Sequence, residues 1–216
     1  MNKTSPPRSL AAETASQPPD LGGRLKSARQ QAKISVRELA RRAGVSASLV
    51  SQVENGRVMP SVATLYTLAN ELGMLLDDLF RDAERTPGRE PAAASRGPVQ
   101  PRETRKAIRL ASGVRWEQLL PAGDDDVEFV YVVYEVGGAS CAPDSLVRHG
   151  GKEYAYLISG QLGVQIGFEE YELRPGDSIA FDARTPHRLW AVGAEPAVAV
   201  WVILNRHADG RQAENR

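Results

Sequence analysis

Ser35 to Gly56 reads S-V-R-E-L-A-R-R-A-G-V-S-A-S-L-V-S-Q-V-E-N-G, and the punctuation of this stretch decides the N-terminal fold. Ser35 precedes apolar residues at Val36, Leu39, Ala40 and Ala43, the spacing of one face of a short helix. Ser35 can cap that helix and Glu38 can reach back to it, while Gly44 tolerates the left-handed turn that ends it. Ser46 caps the next helix, which turns Leu49, Val50 and Val53 inward and stops at Asn55-Gly56. Ala47, Ser48, Ser51 and Gln52 are left on the opposite, polar face. Working outward, Leu21, Leu25, Ala28 and Ala32 share one stripe of a preceding helix. Ser61 opens a fourth, with Val62, Leu65, Ala69 and Leu72 on one side, and Leu75, Leu76, Leu79 and Phe80 suggest a short fifth. Five helices within about sixty residues make one compact domain.

The chain has 216 residues, 42% hydrophobic and 25% charged, which is globular composition with enough length for two modest cores. The longest charge-free stretch, Tyr154 to Phe168, is broken by Gly160, Gly163 and Gly167 and is too short to span a bilayer as a helix. The first twenty residues lack the apolar run of a secretory signal, so the expected location is the cytoplasm. A single cysteine, Cys141, excludes an intramolecular disulfide; it is expected to be a small buried structural residue. Net charge is zero, but residues 1–104 carry +4 and residues 105–216 carry −4. Between Leu21 and Ser61, eight basic residues face two acidic ones, which concentrates positive potential on the helical module.

Composition also divides the chain. Residues 1–20, rich in Pro, Ser, Thr and Ala, read as a tail, and 21–80 as the helical domain. Residues 81–104, RDAERTPGREPAAASRGPVQPRET, hold four prolines and almost no large apolar side chain, which makes them a linker. In 105–205, runs such as EFVYVVYEV, EYAYLISG, LGVQIGF, HRLWAV and AVAVWVIL recur about every ten residues with glycine turns between them, the pattern of an antiparallel sandwich or barrel. Residues 206–216 form a second tail. The expected architecture is therefore a multidomain α plus β chain.

The segment AGVSASLVSQVENG, with RELARRAG before it, resembles the helix-turn-helix family of phage repressors and xenobiotic-response regulators over Leu21 to Phe80. The resemblance implies that the third helix enters the major groove of double-stranded operator DNA. Gln52 would pair bidentately with adenine, Ser48 and Ser51 would offer hydroxyls, and Ala47 would touch a thymine methyl. Lys33, Arg37, Arg41, Arg42 and Arg57 flank this face as candidates for phosphate contacts. Arg29 and Glu54 match positions that pair between helices in the family, so a structural ion pair is expected there. The alternative for the module is a helical bundle used for protein contact.

Further on, H-G-G-K-E-Y-A-Y-L-I-S-G, then Y-E-L-R-P-G-D-S-I-A-F and T-P-H, resemble the two motifs of the cupin family, a double-stranded β-helix or jelly roll, over roughly Arg105 to Ile203. The resemblance brings forward His149, Glu153 and His187 as ligands of one divalent metal (Fe, Zn, Mn or Ni). Val147 stands where many metal-binding cupins have another histidine. Two imidazoles and a carboxylate still match a facial triad with open positions. The alternative is that these three side chains bind an organic ligand, or one another, without metal. Strand alternation puts Ala155 and Leu157 on the face of Glu153, with Leu189 following His187 inward; together with Val147 they suggest a partly apolar ligand pocket. Tyr154 and Tyr156 point the other way, toward packing or a subunit interface. Trp116 and Trp190 are given no role, and His207 lies beyond the last strand.

Together these readings describe a transcription regulator, not an enzyme, in which the helices bind DNA and the barrel senses a small-molecule effector as a homodimer. The runner-up is a mononuclear non-haem iron oxygenase of the cupin epoxidase type with a helix-turn-helix appendage. A third reading makes the barrel a metal-free dimerisation scaffold.

Overall fold

The computed structural model describes residues 20–80, 97–121, 124 and 126–204. Most of both expected tails, His207 and linker residues 81–96 lie outside them. Five helices come first: α1 (Leu21–Gln31), α2 (Val36–Ala43), α3 (Ala47–Glu54), α4 (Val62–Glu71) and α5 (Leu76–Phe80). Serine caps organise three of them. The hydroxyls of Ser35, Ser46 and Ser61 accept from the backbone N–H of Glu38, Leu49 and Thr64 at 3.1, 3.1 and 3.2 Å. Gly44, at φ 65°, takes the left-handed conformation that ends α2 and re-aims the chain into α3. Gly22 serves close approach instead: a Cβ there would stand 2.4 Å from the Val53 carbonyl oxygen, so α1 and α3 touch only because the side chain is missing.

Two local expectations are corrected. Asp20, read as the end of the tail, is the cap of α1 and accepts from Gly23 N–H at 2.9 Å. Glu38 does not reach back to the start of α2. Its carboxylate is taken by Arg41 and Arg42, one turn ahead, at 2.8 to 2.9 Å, and these contacts hold its pKa down at about 2. Charge-assisted bonds to two guanidinium groups outcompete one neutral backbone donor.

After a 3-10 turn at Arg102–Thr104, inside the stretch expected to be linker, nine strands follow: β1 (Ala107–Leu110), β2 (Val114–Gln118), β3 (Val127–Tyr134), β4 (Lys152–Ser159), β5 (Gln161–Ile166), β6 (Glu169–Leu173), β7 (Ser178–Asp182), β8 (His187–Val192) and β9 (Ala197–Leu204). They form a six-stranded sheet, β1-β2-β3-β9-β4-β7, and a three-stranded sheet, β6-β5-β8, with antiparallel neighbours throughout. Alternation along β4, β8 and β9 buries Glu153, Ala155 and Leu157, then His187, Leu189 and Ala191, then Ala197, Ala199, Trp201 and Ile203. The helical domain followed by an antiparallel β-domain agrees with the expected fold class.

The two domains meet at the start of α4. The first N–H groups of a helix lack partners within it, and here the β-domain supplies them. Val62 N–H donates to Ser112 Oγ at 3.3 Å and Ala63 N–H to the Ser140 carbonyl at 3.0 Å. One residue before the helix cap, the Pro60 carbonyl accepts from Ala111 N–H at 3.0 Å. A continuous cluster of buried apolar residues runs from Leu65 and Leu68 on α4 to Trp116, Val132 and Trp201 in the sheets.

Candidate functional site

On the helical domain, Ser48, Ser51 and Gln52 are exposed on α3, as are Lys33, Arg37, Arg41, Arg42 and Arg57 around it. Ala47 differs: it is half-buried and packs against the core, so less of its methyl is available to a partner. Ser51 shares its turn with Asn55, whose amide donates to the Ser51 carbonyl at 2.7 Å. Arg29 and Glu54 form a buried bidentate pair at 2.6 and 2.8 Å, and Arg29 Nη1 also donates to the Ile34 carbonyl at 3.0 Å. They tie α1 to α3 and stand apart from the exposed face.

In the β-domain, β4 carries Glu153, β8 carries His187, and the segment before β4 carries His149. That segment is held against β8 by a reciprocal Val147–His187 backbone pair at 2.8 and 2.9 Å. The three side chains converge, all at least nine-tenths buried. Glu153 Oε1 lies 2.8 Å from His149 Nε2 and 3.3 Å from His187 Nε2. Its other oxygen accepts from Trp201 Nε1–H at 2.6 Å. Burial opposes ionisation of Glu153, but hydrogen bonds and charge from the two histidines outweigh it and hold the carboxyl well below the usual carboxylate range. For His187 burial is the largest single influence and lowers its pKa, but the Glu153 hydrogen bond, the Glu153 charge and the Thr185 carbonyl together outweigh it, leaving a net rise.

The donor set fits a divalent metal. Each Nδ1 faces a carbonyl oxygen at 2.9 Å, Gly150 for His149 and Thr185 for His187, so Nδ1–H is directed outward and Nε2 faces Glu153. A divalent ion bound through the Nε2 lone pairs would replace the protons that otherwise bridge Nε2 and the carboxylate. Atoms bound to one ion at about 2.1 Å stand about 3.0 Å apart at a right angle and about 3.4 Å at a tetrahedral one, close to the two separations seen. A metal here would act as a Lewis acid with positions left for an oxygen or nitrogen donor.

Above the cluster, a cavity is lined by Val130, Val132, Tyr134, Val147, Leu189, Trp116 and Trp201, with Val62 and Tyr66 contributed by α4. The volume open to a water-sized body is about 20 Å³. Val147 and Leu189 line it. Ala155 and Leu157 are buried in the core and do not; alternation gave their face correctly but not their depth. Tyr66, Trp116, Tyr134 and Trp201 are the residues that sequence reasoning missed. Burial pushes the Tyr134 hydroxyl far up, so it stays neutral. Cys141, outside the cavity, is buried and its thiol is likewise pushed up by burial.

Residues 25–79 match the family profile described as "Helix-turn-helix", and residues 125–203 match the "Cupin domain" profile. The chain joins a helix-turn-helix domain to a cupin domain. Among relatives, the HTH-type transcriptional regulator PuuR of Escherichia coli (strain K12) is 24% identical over 168 residues, 77% of this chain and 84% of that protein. The HTH-type transcriptional regulator SutR of the same organism is 25% identical over 174 residues, 81% of this chain and 88% of that protein. In fold, the chain is similar to the crystal structure of an HTH_3 family transcriptional regulator from Vibrio cholerae. That similarity has a TM-score of 0.61 and 23% identity, covering 86% of this chain and 94% of the other.

Proposed function

We propose that this cupin-bearing chain is a cytoplasmic, sequence-specific DNA-binding transcriptional regulator whose barrel senses a small-molecule effector through a divalent metal at His149, Glu153 and His187. The observation that carries the DNA reading is the outward face of α3, where Ser48, Ser51 and Gln52 stand exposed, in a domain that also exposes Lys33, Arg37, Arg41, Arg42 and Arg57. Among the described residues no helix is long and apolar enough to cross a membrane.

Base readers and phosphate clamps separate experimentally. In binding to an operator selected from random duplexes, Gln52→Ala costs about 1–3 kcal/mol and relaxes preference at one base pair. Arg57→Ala instead weakens all duplexes alike and lowers the salt slope by about one. Equal losses on selected and random duplex for Gln52→Ala would remove it from the base-reading set.

The homodimer belongs to the same proposal. The outer face of the six-stranded sheet carries an apolar patch, in which Tyr154, Tyr156 and Ile158 are 40%, 52% and 44% exposed, bordered by charged Lys152 and Asp182 at one end and by Arg115 and Glu117 on β2. Tyr154 and Tyr156 lie beside Val202 and Val200 of β9, which pair in turn with Phe129 and Tyr131 of β3. A second copy seated there would relate two α3 helices by a two-fold axis, as paired half-sites require. Tyr156→Glu is expected to halve the mass seen by light scattering while leaving the circular dichroism of the strands unchanged. A wild type that is monomeric at working concentration would refute the dimer.

A further inference from the structure

Tyr66 belongs to the DNA-binding domain, yet its ring lies in the barrel's site. It stacks on His149 with ring centroids 4.9 Å apart and an interplanar angle of 18°, and meets Trp116 edge-on at 5.3 Å. His149 in turn meets His187 edge-on at 5.3 Å. A face of the metal-site imidazole that a bound ligand could use is therefore covered by a phenol ring from α4. With that ring in place the remaining cavity, about 20 Å³, holds one water or one ion and no organic molecule.

The geometry points to Tyr66 as an internal occupant of the effector site: a flat, phenol-like effector stacks on His149 in its place, and its entry releases α4 from the barrel. This rests on the regulator reading above. The route from site to helix is short. Leu189, which lines the cavity, exchanges hydrogen bonds with Ser140: Ser140 N–H donates to the Leu189 carbonyl at 2.8 Å, and Leu189 N–H to Ser140 Oγ at 3.0 Å. Ser140 then offers its carbonyl to Ala63 N–H, in the first turn of α4 three residues before Tyr66. Moving the ring out of the site strains the same turn that Ser140 and Ser112 cap. Docking of the domain and filling of the site are thus two states of one equilibrium, and a ligand with affinity for only the open state shifts it.

The probe is 4-methylphenol, the tyrosine side chain as a free molecule, titrated calorimetrically into the full chain. An intramolecular ring competes at an effective concentration of about millimolar or more, so Tyr66→Ala should bind the probe at least ~10-fold tighter than wild type. Tyr66→Phe, which keeps the stacked ring, should bind the probe more weakly than Tyr66→Ala. Saturating probe should also enlarge the wild-type radius of gyration in small-angle scattering toward that of Tyr66→Ala. No gain in affinity for Tyr66→Ala overturns the proposal. So does a gain with no change in wild-type shape, which is the behaviour of a mere filled cavity. If Tyr66→Ala does not fold, Ser112→Ala removes only the hydroxyl that accepts from Val62 N–H; it must raise probe affinity by a smaller factor, and unchanged affinity again overturns the proposal. Duplex binding by the same proteins keeps the two ideas apart. Wild type that binds no duplex while shape and affinity respond as stated defeats the regulator reading alone. Duplex affinity that is specific but indifferent to Tyr66→Ala and to probe defeats the coupling alone.

Discussion

Glu54→Ala should destabilise the helical domain by about 3–5 kcal/mol, a large share of what a small domain has. The guanidinium of Arg29 donates Nε and Nη2 to the two carboxylate oxygens, and the paired side chains are only 10% and 4% exposed. Truncating the acid strands a permanent charge in a site that water hardly reaches. The pair itself is a poor measure of net stabilisation, because desolvating both ions costs nearly what their attraction returns. The double variant Arg29→Met/Glu54→Leu should therefore recover most of the loss. Urea unfolding followed by helical circular dichroism measures both. A loss below ~1 kcal/mol for Glu54→Ala would mean that the pair is solvated after all.

The second large effect concerns the barrel. In Glu153→Gln the amide oxygen can keep the bond from Trp201 Nε1–H, and the amide NH₂ can donate to the Nε2 atoms of His149 and His187. The fold is expected to survive while the charge that attracts a divalent ion disappears. Mutating outer partners of metal ligands typically costs 10–100-fold in affinity, so losing the sole anionic ligand of the cluster should cost at least ~100-fold for Zn²⁺ or Mn²⁺. Competition against a chromophoric chelator gives the number. Affinity within a few-fold of wild type would show that these three residues serve one another and not a metal.

The parts of this architecture legible in the sequence are those decided within a few residues. Ser35, Ser46 and Ser61 precede helices because a short hydroxyl side chain reaches an N–H three positions on, wherever the helix later packs. Glu38 shows the limit: its reach backward was sound locally, but two arginines one turn ahead made better partners. Alternation in β4 and β8 fixed the inward phase of Glu153 and His187, so the cluster could be named from spacing and resemblance. It could not grade depth along the barrel, which is why Ala155 and Leu157 sit in the core while Trp201 reaches the carboxylate. Tyr66 was hidden for a different reason. Its neighbours His149 and Trp116 are distant in sequence, and nothing in the period of α4 says that a second domain will lie against it.

The lone thiol has a practical consequence. Cys141 Sγ–H donates to the Ser145 carbonyl at 3.0 Å and is kept protonated by its surroundings, so at neutral pH it presents little thiolate to electrophiles. A cysteine introduced at exposed Ser48 would be the one fast-reacting sulfur in the chain. Nitroxide spin labels attached there need no cysteine-free background, and in a two-fold assembly their separation becomes a ruler for the gap between the two copies of α3.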